Sequence, residues 1–411
     1  MEELLELRAW AKRRWPMLAL GSLAFLVYAI SSGSMFWKQS NAPHFIYQAD
    51  AFLKGQLALA ADPPNLNDWV LEKGRWFVSF PSFPAILMLP FVWVNGLQFN
   101  DVPLTVLFGS LNVALVWLLL RRLSESGDSA RSPGEDAVLA LLFGFGTLAW
   151  YCCIRGEVWF TAETIGVTLT CAYLLAAHRA AHPFLAGLFL ALGAATRTPI
   201  VFATPFFLGE LVIPNGQFSW NDLKDRRYAV IRSLSLFILA SIIVGLPFLW
   251  MNYERFGDWS EFGHRHLFNN RVNDQIAHYG LFSYQFLERN LHDAFTRLPL
   301  IRSVYPPRID FDGEGMSLFI TTPLFLFLLR PKQVPRLHRV LWITVACVAL
   351  PGFFYQNSGY YQFGYRFSLD YTPELMVLLA VGGHRLRGWA AVAGIAGVVV
   401  NAWGAFSFLR S

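Results

Sequence analysis

Charge is scarce in this sequence. Asp, Glu, Lys and Arg make up 15% of its 411 residues, against about 25% in a soluble domain. Mean hydropathy is +0.40, and 55% of the residues are hydrophobic. That balance argues against a soluble globular enzyme and marks a polytopic membrane protein. Cysteine is scarce too. Cys152, Cys153, Cys171 and Cys347 all lie in or beside apolar runs. They read as small buried hydrophobes rather than a disulfide framework or a thiolate metal centre. There is no P-loop, H-E-x-x-H or Rossmann fingerprint in a credible context. The net charge of +5 forms no nucleic-acid footprint, because the basic residues cluster at the ends of apolar runs. No cleavable signal peptide is expected. The first apolar run follows Arg8, Lys12, Arg13 and Arg14 and is too long for an h-region.

What is present is a succession of apolar runs. A span needs about 20 apolar residues, fewer where it is broken. About eleven candidates lie near 16–35, 102–120, 136–154, 159–177, 183–196, 199–213, 230–250, 315–329, 339–356, 368–383 and 389–408. Basic residues fall at alternate ends of these runs: Arg121 and Arg122, His178 and Arg179, Lys224 to Arg232, Arg330 to Arg339, Arg385 and Arg387. All lie on one side if the N-terminus is cytoplasmic, which puts the C-terminus outside. The run at 80–97 is apolar, but Pro81, Pro84 and Pro90 interrupt it and a span there would reverse the charge pattern. It reads as an interfacial helix on the outer side. The expected fold class is therefore an all-α polytopic membrane domain, 1–411. It has two long outer loops, 36–101 and 251–314, and a short outer segment at 355–366. The inner loops look like connectors, and no internal repeat suggests inverted transporter halves.

The polar residues able to do chemistry gather in the outer segments. In 44–57, Ile46, Ala49, Leu53 and Leu57 share one helical face, and His44, Tyr47, Gln48 and Lys54 the other, with Asp50 at the border. Such a helix can lie flat in the interface. Asp50 then either pairs with Lys54 at i,i+4 or contributes to the floor of an external site. Asp68 stands in a loop beside Trp69. Glu163 sits inside the start of a span, where a carboxylate is costly and normally faces a cavity with a partner. Glu157 has Arg155 beside it. Arg197 falls between two half-length spans and either pairs with an acid such as Glu163 or binds an anionic headgroup. The arginine fork suits phosphate oxygens. Arg366 and Asp370 are spaced for an i,i+4 pair, or for Asp370 holding the fork while Arg366 reaches a cavity. Tyr360, Tyr361, Gln362 and Tyr365 add the rings and amides common in sugar sites.

The order of "HFIYQADAFLKGQL", "RWFVSFPSFPAILMLPF", "GEVWFTAET", "GAATRTP" and "QFGYRFSLDYTP" resembles the GT-C superfamily of integral-membrane glycosyltransferases. The nearest likeness is to bacterial members related to protein O-mannosyltransferases and lipid A aminoarabinose transferases. The resemblance implies transfer of a sugar from a polyprenyl-phosphate carrier to an acceptor at the outer face of the plasma membrane, usually with inversion. A carboxylate of the first outer loop would act as base or help hold a divalent cation, and basic residues would stabilise the leaving phosphate. With the register fixed on Gly55, the acid expected early in that loop falls at Ser40 or Asn41, neither of which is a base at neutral pH. Asp50 or Asp68 would take over that role. Glu163 would be a second functional acid, and Arg197 a phosphate ligand. His44, Tyr47, Gln362, Tyr365, Arg366 and Asp370 would contact substrate.

Two other readings accompany this one. The departure at Asn41 also fits a GT-C-like scaffold without activity, serving as a subunit of a membrane complex. A lipid-linked sugar transporter would need ionisable groups along a path to the inner side, and these gather outside instead. The expected partners are a lipid-linked sugar donor, membrane lipids and an acceptor of unspecified class, with no nucleic acid.

Overall fold

The structure of the chain, a computed structural model, describes residues 2–268, 270–304, 307–310 and 312–408. Side chains are described for all of these except 2–14, 270–272, 303–304 and 307–308. The basic cluster Arg8 to Arg14 therefore lies outside the described side chains. The chain opens with α1 (Glu2–Ser32), α2 (His44–Leu53), α3 (Phe83–Asn95), α4 (Asp101–Glu125), α5 (Pro133–Gly146) and α6 (Ala149–Cys153). It continues with α7 (Val158–Ala177), α8 (Pro183–Ala194), α9 (Thr204–Val212), α10 (Trp220–Asp225) and α11 (Arg227–Phe256). Then come α12 (Asn270–Tyr279), α13 (Leu287–Phe295), α14 (Leu318–Thr321), α15 (Arg336–Phe354), α16 (Thr372–Val381) and α17 (Trp389–Ser407).

Among the described residues six helices are long and apolar enough to cross a membrane: Trp15–Trp37, Asp101–Glu125, Val158–Ala180, Arg227–Phe256, Arg336–Phe354 and Trp389–Ser407. Several other expected spans are short or interrupted, and each break has a local cause. The run at 136–154 divides into α5 and α6 where Thr147 turns extended. The runs at 183–196 and 199–213 meet at an extended Arg197, followed by a 3-10 turn, Thr198–Ala203, and α9. Pro199 stands in the first turn of that 3-10 segment, where its missing N–H costs nothing. The run at 315–329 is α14 plus a 3-10 segment, Pro323–Leu329, with Pro323 at the junction. The run at 368–383 opens with a 3-10 turn, Arg366–Asp370, before α16. Caps set other boundaries. Asn100 accepts from the Val102 amide to start α4, and Ser132 and Glu135 form a reciprocal capping box at α5.

The all-α expectation needs amendment. Two antiparallel hairpins stand in the loops before α3 and after α13: β1 (Trp69–Glu72) with β2 (Arg75–Val78), and β3 (Leu300–Val304) with β4 (Pro307–Asp310). In the first, Glu72 pairs with Arg75 across a two-residue turn, Lys73-Gly74, both at positive φ. That is the primed turn that matches strand twist.

The main core joins α4, α5, α7, α8, α9, α15 and α16. Of the span-length helices α7 is the most enclosed, with 89% of its window buried against 11% for α11. Polar groups on α7 therefore face protein. The helix expected over 44–57 ends at Leu53, where Lys54 and Gly55 turn the chain, and it is more enclosed than a flat interfacial helix. Both faces of α2 are covered: Ile46 and Ala49 pack on α3, while His44 and Gln48 are buried on the other side. His44 stacks on Trp69 at 3.8 Å between ring centres, and Gln48 donates to Ser82 at 2.8 Å.

Candidate active site

Three loop segments are stitched together by main-chain bonds. Val70 pairs with Leu267, and the Phe268 amide donates to the Trp69 carbonyl at 2.8 Å, binding the loop after α11 to the first hairpin. Phe282 pairs with Tyr355, and the Gln356 amide donates to Leu281, binding the same loop to the segment after α15. These bridges enclose a cavity of about 730 Å³. Asp68, Trp159, Arg197, His264, Tyr355, Arg366 and Asp370 line it, with apolar wall from Phe80, Phe202 and Phe367.

Asp68 has φ of 58°, in the left-handed region that a non-glycine residue occupies only at a cost. It immediately precedes β1 and accepts from Trp159 Nε1–H at 3.0 Å through Oδ2. Burial pushes its carboxyl above the ordinary range, and the Trp159 hydrogen bond and the Arg366 charge pull part of the way back. Behind it, His44 Nε2 lies 3.0 Å from the Asn67 carbonyl, which fixes the approach to Asp68. Burial lowers His44 to about 4, so the ring is neutral.

The two arginines of the cavity are held by crossed ion pairs. Arg197 makes a bidentate contact with Asp370, Nε to Oδ1 at 2.9 Å and Nη2 to Oδ2 at 2.6 Å. Arg366 donates from Nη1 to Glu163 Oε1 at 2.7 Å and from Nε to the Gly359 carbonyl at 3.2 Å. Phe367 lies under both guanidinium groups, at 5.1 and 5.2 Å from its ring centre. Gly166 on α7 makes room for Arg197, since a Cβ there would stand 3.1 Å from Arg197 Cγ. Each fork is anchored by its own carboxylate, yet Arg197 Nη1 and Arg366 Nη2 have no protein partner among the described residues. Two fixed cationic donors are thus left for a ligand.

The local pairing expected from spacing is replaced. Arg366 and Asp370 lie on a 3-10 turn, where i and i+3 eclipse and i+4 points elsewhere. The two side chains consequently reach different helices. Glu163, buried on α7, binds Arg366 rather than Arg197, and its Oε2 meets Cys152 Sγ at 3.6 Å.

No protein-family profile and no curated protein matches this chain. The fold does match solved structures. The Archaeoglobus fulgidus oligosaccharyltransferase in its apo form aligns with TM-score 0.53 and 13% identity, over 97% of this chain and 57% of that one. The fold is similar to that of this membrane oligosaccharyltransferase. Two further structures are ArnT from Cupriavidus metallidurans bound to undecaprenyl phosphate, and AglB from Archaeoglobus fulgidus in complex with an inhibitory peptide and a dolichol-phosphate. ArnT aligns at TM-score 0.49 and 14% identity, over 91% of this chain and 61% of that one. AglB aligns at 0.49 and 12%, over 97% and 56%. The chain spans about three-fifths of the length of these structures.

Within this fold the cavity gathers Asp68, Arg197, Tyr365, Arg366 and Asp370 from the residues singled out in the sequence. Glu163 stands just behind, against Arg366. Gln362 is buried and buttresses the turn: it donates to the Glu314 and Ser358 carbonyls and accepts from the Arg366 amide. His44 and Tyr47 pack on Trp69 and do not line the cavity. Asp50 lies outside it as well, tied to Lys54 at 2.8 Å. Glu157 is held by Arg155 at 2.7 Å. At the register position of the missing acid, the Ser40 amide and hydroxyl both donate to Asp101, at 2.9 and 2.7 Å. A carboxylate from the start of α4 therefore occupies that corner, buried and outside the cavity lining.

His264 and Tyr355 were not visible as site residues in the sequence. Burial, helped by the charges of Arg197 and Arg255, lowers His264 to about 4, so it faces the cavity as a neutral ring. Among the described residues no three His, Cys, Asp or Glu side chains converge to hold a cation. Asp370 and Glu163 are already engaged by arginines.

Proposed function

We propose that this protein is a glycosyltransferase that moves a sugar from a polyprenyl-phosphate donor to an acceptor hydroxyl, at the outer face of the plasma membrane. The observation that carries this reading is one cavity holding an acid, Asp68, beside two arginine forks that each keep a free nitrogen. The donor phosphate would lie on Arg197 Nη1 and Arg366 Nη2. The acceptor hydroxyl would meet Asp68 Oδ1, the oxygen left free by Trp159. As the hydroxyl oxygen attacks the anomeric carbon, its proton passes to Asp68 and the bond to the phosphate oxygen breaks. The leaving phosphate gains one negative charge, which the two guanidinium groups stabilise. One carboxylate and a single displacement give inversion. Glu163 and Asp370 do not touch the reacting atoms; they hold the forks in place.

The test is discharge of a labelled polyprenyl-phosphate sugar by the full chain in proteoliposomes, with acceptor extracts supplied outside. Free polyprenyl phosphate and label in an acceptor fraction are the expected products. A scaffold without activity is the second reading, favoured by Ser40 and Asn41 standing where the acid is expected and by the Ser40 hydrogen bonds to Asp101. It predicts no discharge with any acceptor, and stable co-purification with a partner subunit.

A further inference from the structure

A second cavity lies at the opposite end of α7. Trp159 lines the first and Leu175 the second, about 24 Å apart along the helix at 1.5 Å per residue. It is a crevice of about 690 Å³ between α4, α7 and α8. Its walls are aliphatic and aromatic: Leu115, Leu118, Leu175 and Phe189. Its mouth carries Arg121, Arg122 and His182. On α4, Leu115, Leu118 and Arg122 follow one another at i, i+3 and i+7, so one stripe runs from hydrocarbon to cation.

The polar groups at the mouth are unevenly satisfied. Arg121 is compensated by Asp136 at 3.1 Å and Glu125 at 3.3 Å. The Arg122 guanidinium is exposed and has no partner among the described residues. Deeper in, Trp117 lines the crevice with only 5% of its surface exposed, and its Nε1–H has no hydrogen-bond partner. A buried indole N–H without an acceptor is uncommon, because its desolvation goes uncompensated.

We infer that this crevice binds one anionic glycerophospholipid from the surrounding leaflet. The phosphate sits on Arg122 and His182, an ester carbonyl accepts from Trp117 Nε1–H, and one acyl chain follows Leu118 and Phe189 inward. Trp117 and Arg122 are about 7.5 Å apart along the helix axis, on the order of the distance from a phosphate to its glycerol esters. A zwitterionic lipid fits less well, since its ammonium would stand beside Arg121 and Arg122, and Glu125 is already engaged. Basic pockets between spans, at the end of the bundle where arginines cluster, recognise anionic headgroups in this way.

The test uses the full chain in detergent, with equal dioleoyl phosphatidylglycerol and dioleoyl phosphatidylcholine, read by native mass spectrometry. The wild type retains one phosphatidylglycerol. Arg122→Gln weakens retention about fivefold, the worth of one basic residue at an anionic surface. Leu118→Trp, which fills the crevice, also lowers it. Arg122 is exposed, so its variant reads binding even where Leu118→Trp fails to fold. Equal retention of both lipids, retention unchanged by Arg122→Gln, or preference for added polyprenyl phosphate over phosphatidylglycerol would each overturn the inference.

Discussion

Arg366 and Glu163 meet at 2.7 Å, although 203 residues separate them in the chain. Both are buried, and the neighbouring pair is closed on itself, with Asp370 held by Arg197. Removing one member of such a pair strands the other charge. Glu163→Ala should destabilise the protein by about 3–5 kcal/mol, seen as a lower midpoint in thermal unfolding in detergent. Glu163→Leu combined with Arg366→Leu should recover much of that stability and none of the transfer activity. Recovery of activity would show that Arg366 has no role beyond the pair.

Arg197→Lys keeps the charge but cannot make the bidentate contact to Asp370 and leave a nitrogen for phosphate. Donor KM should rise roughly 10- to 100-fold, the range for one hydrogen bond to a charged group. The fold should survive. An unchanged KM would remove Arg197 from the donor site.

The pH dependence follows from Asp68 and its Trp159 hydrogen bond. That bond stabilises the charged carboxylate, while burial opposes it. Base function needs the ionised form, so transfer falls as pH drops through the Asp68 pKa. Trp159→Phe removes the stabilising donor and raises that pKa further. The acid limb of kcat/KM should therefore move to higher pH, and a shift to lower pH would contradict the assignment. His264→Asn should leave the limb in place, since His264 titrates only near 4.

At the other end of the bundle, Asp128 joins three loops. It accepts from His178 at 2.9 Å and from Arg336 at 2.7 Å, and Arg336 also binds Glu210 at 2.6 Å. Burial pushes the Asp128 carboxyl up, but the hydrogen bonds of His178, Arg336 and Ser126 outweigh it and hold the group well below its ordinary value. A depressed pKa contributes stability above the unfolded-state pKa, about 3.9, and loses it as pH falls below that. Asp128→Asn should lower the thermal midpoint at pH 7 and flatten its decline between pH 5 and 3. A parallel drop in both proteins would show that Asp128 is not the titrating group.

The sequence made some of this legible for clear reasons. Apolar runs marked the six long apolar helices, and an acid beside a tryptophan marked Asp68 as a candidate. Arg197 and Arg366 stood out because a cation inside an apolar run needs a partner. What sequence spacing could not reveal was who that partner is. The i,i+4 rule holds on an α-helix, and the 3-10 turn at Arg366–Asp370 breaks it. Likewise, the polar stripe His44–Gln48 looked like a solvent face, yet the hairpin at Trp69–Val78 covers it, and strands of four residues leave little periodic signal. His264 and Tyr355 arrive through isolated bridges between loops, Val70 with Leu267 and Phe282 with Tyr355, which no local pattern announces.

The assignment of the base is the central claim, and two conservative variants test it side by side. Asp68 lines the cavity, whereas Asp50 is tied to Lys54 outside it. Initial rates of sugar transfer from polyprenyl phosphate should fall about 10²–10⁴-fold in Asp68→Asn, the usual contribution of general-base catalysis. They should stay within about twofold of wild type in Asp50→Asn, the scatter expected of a change away from the site. A folded Asp68→Asn protein with wild-type rates, or the reverse pattern with Asp50, would contradict the account.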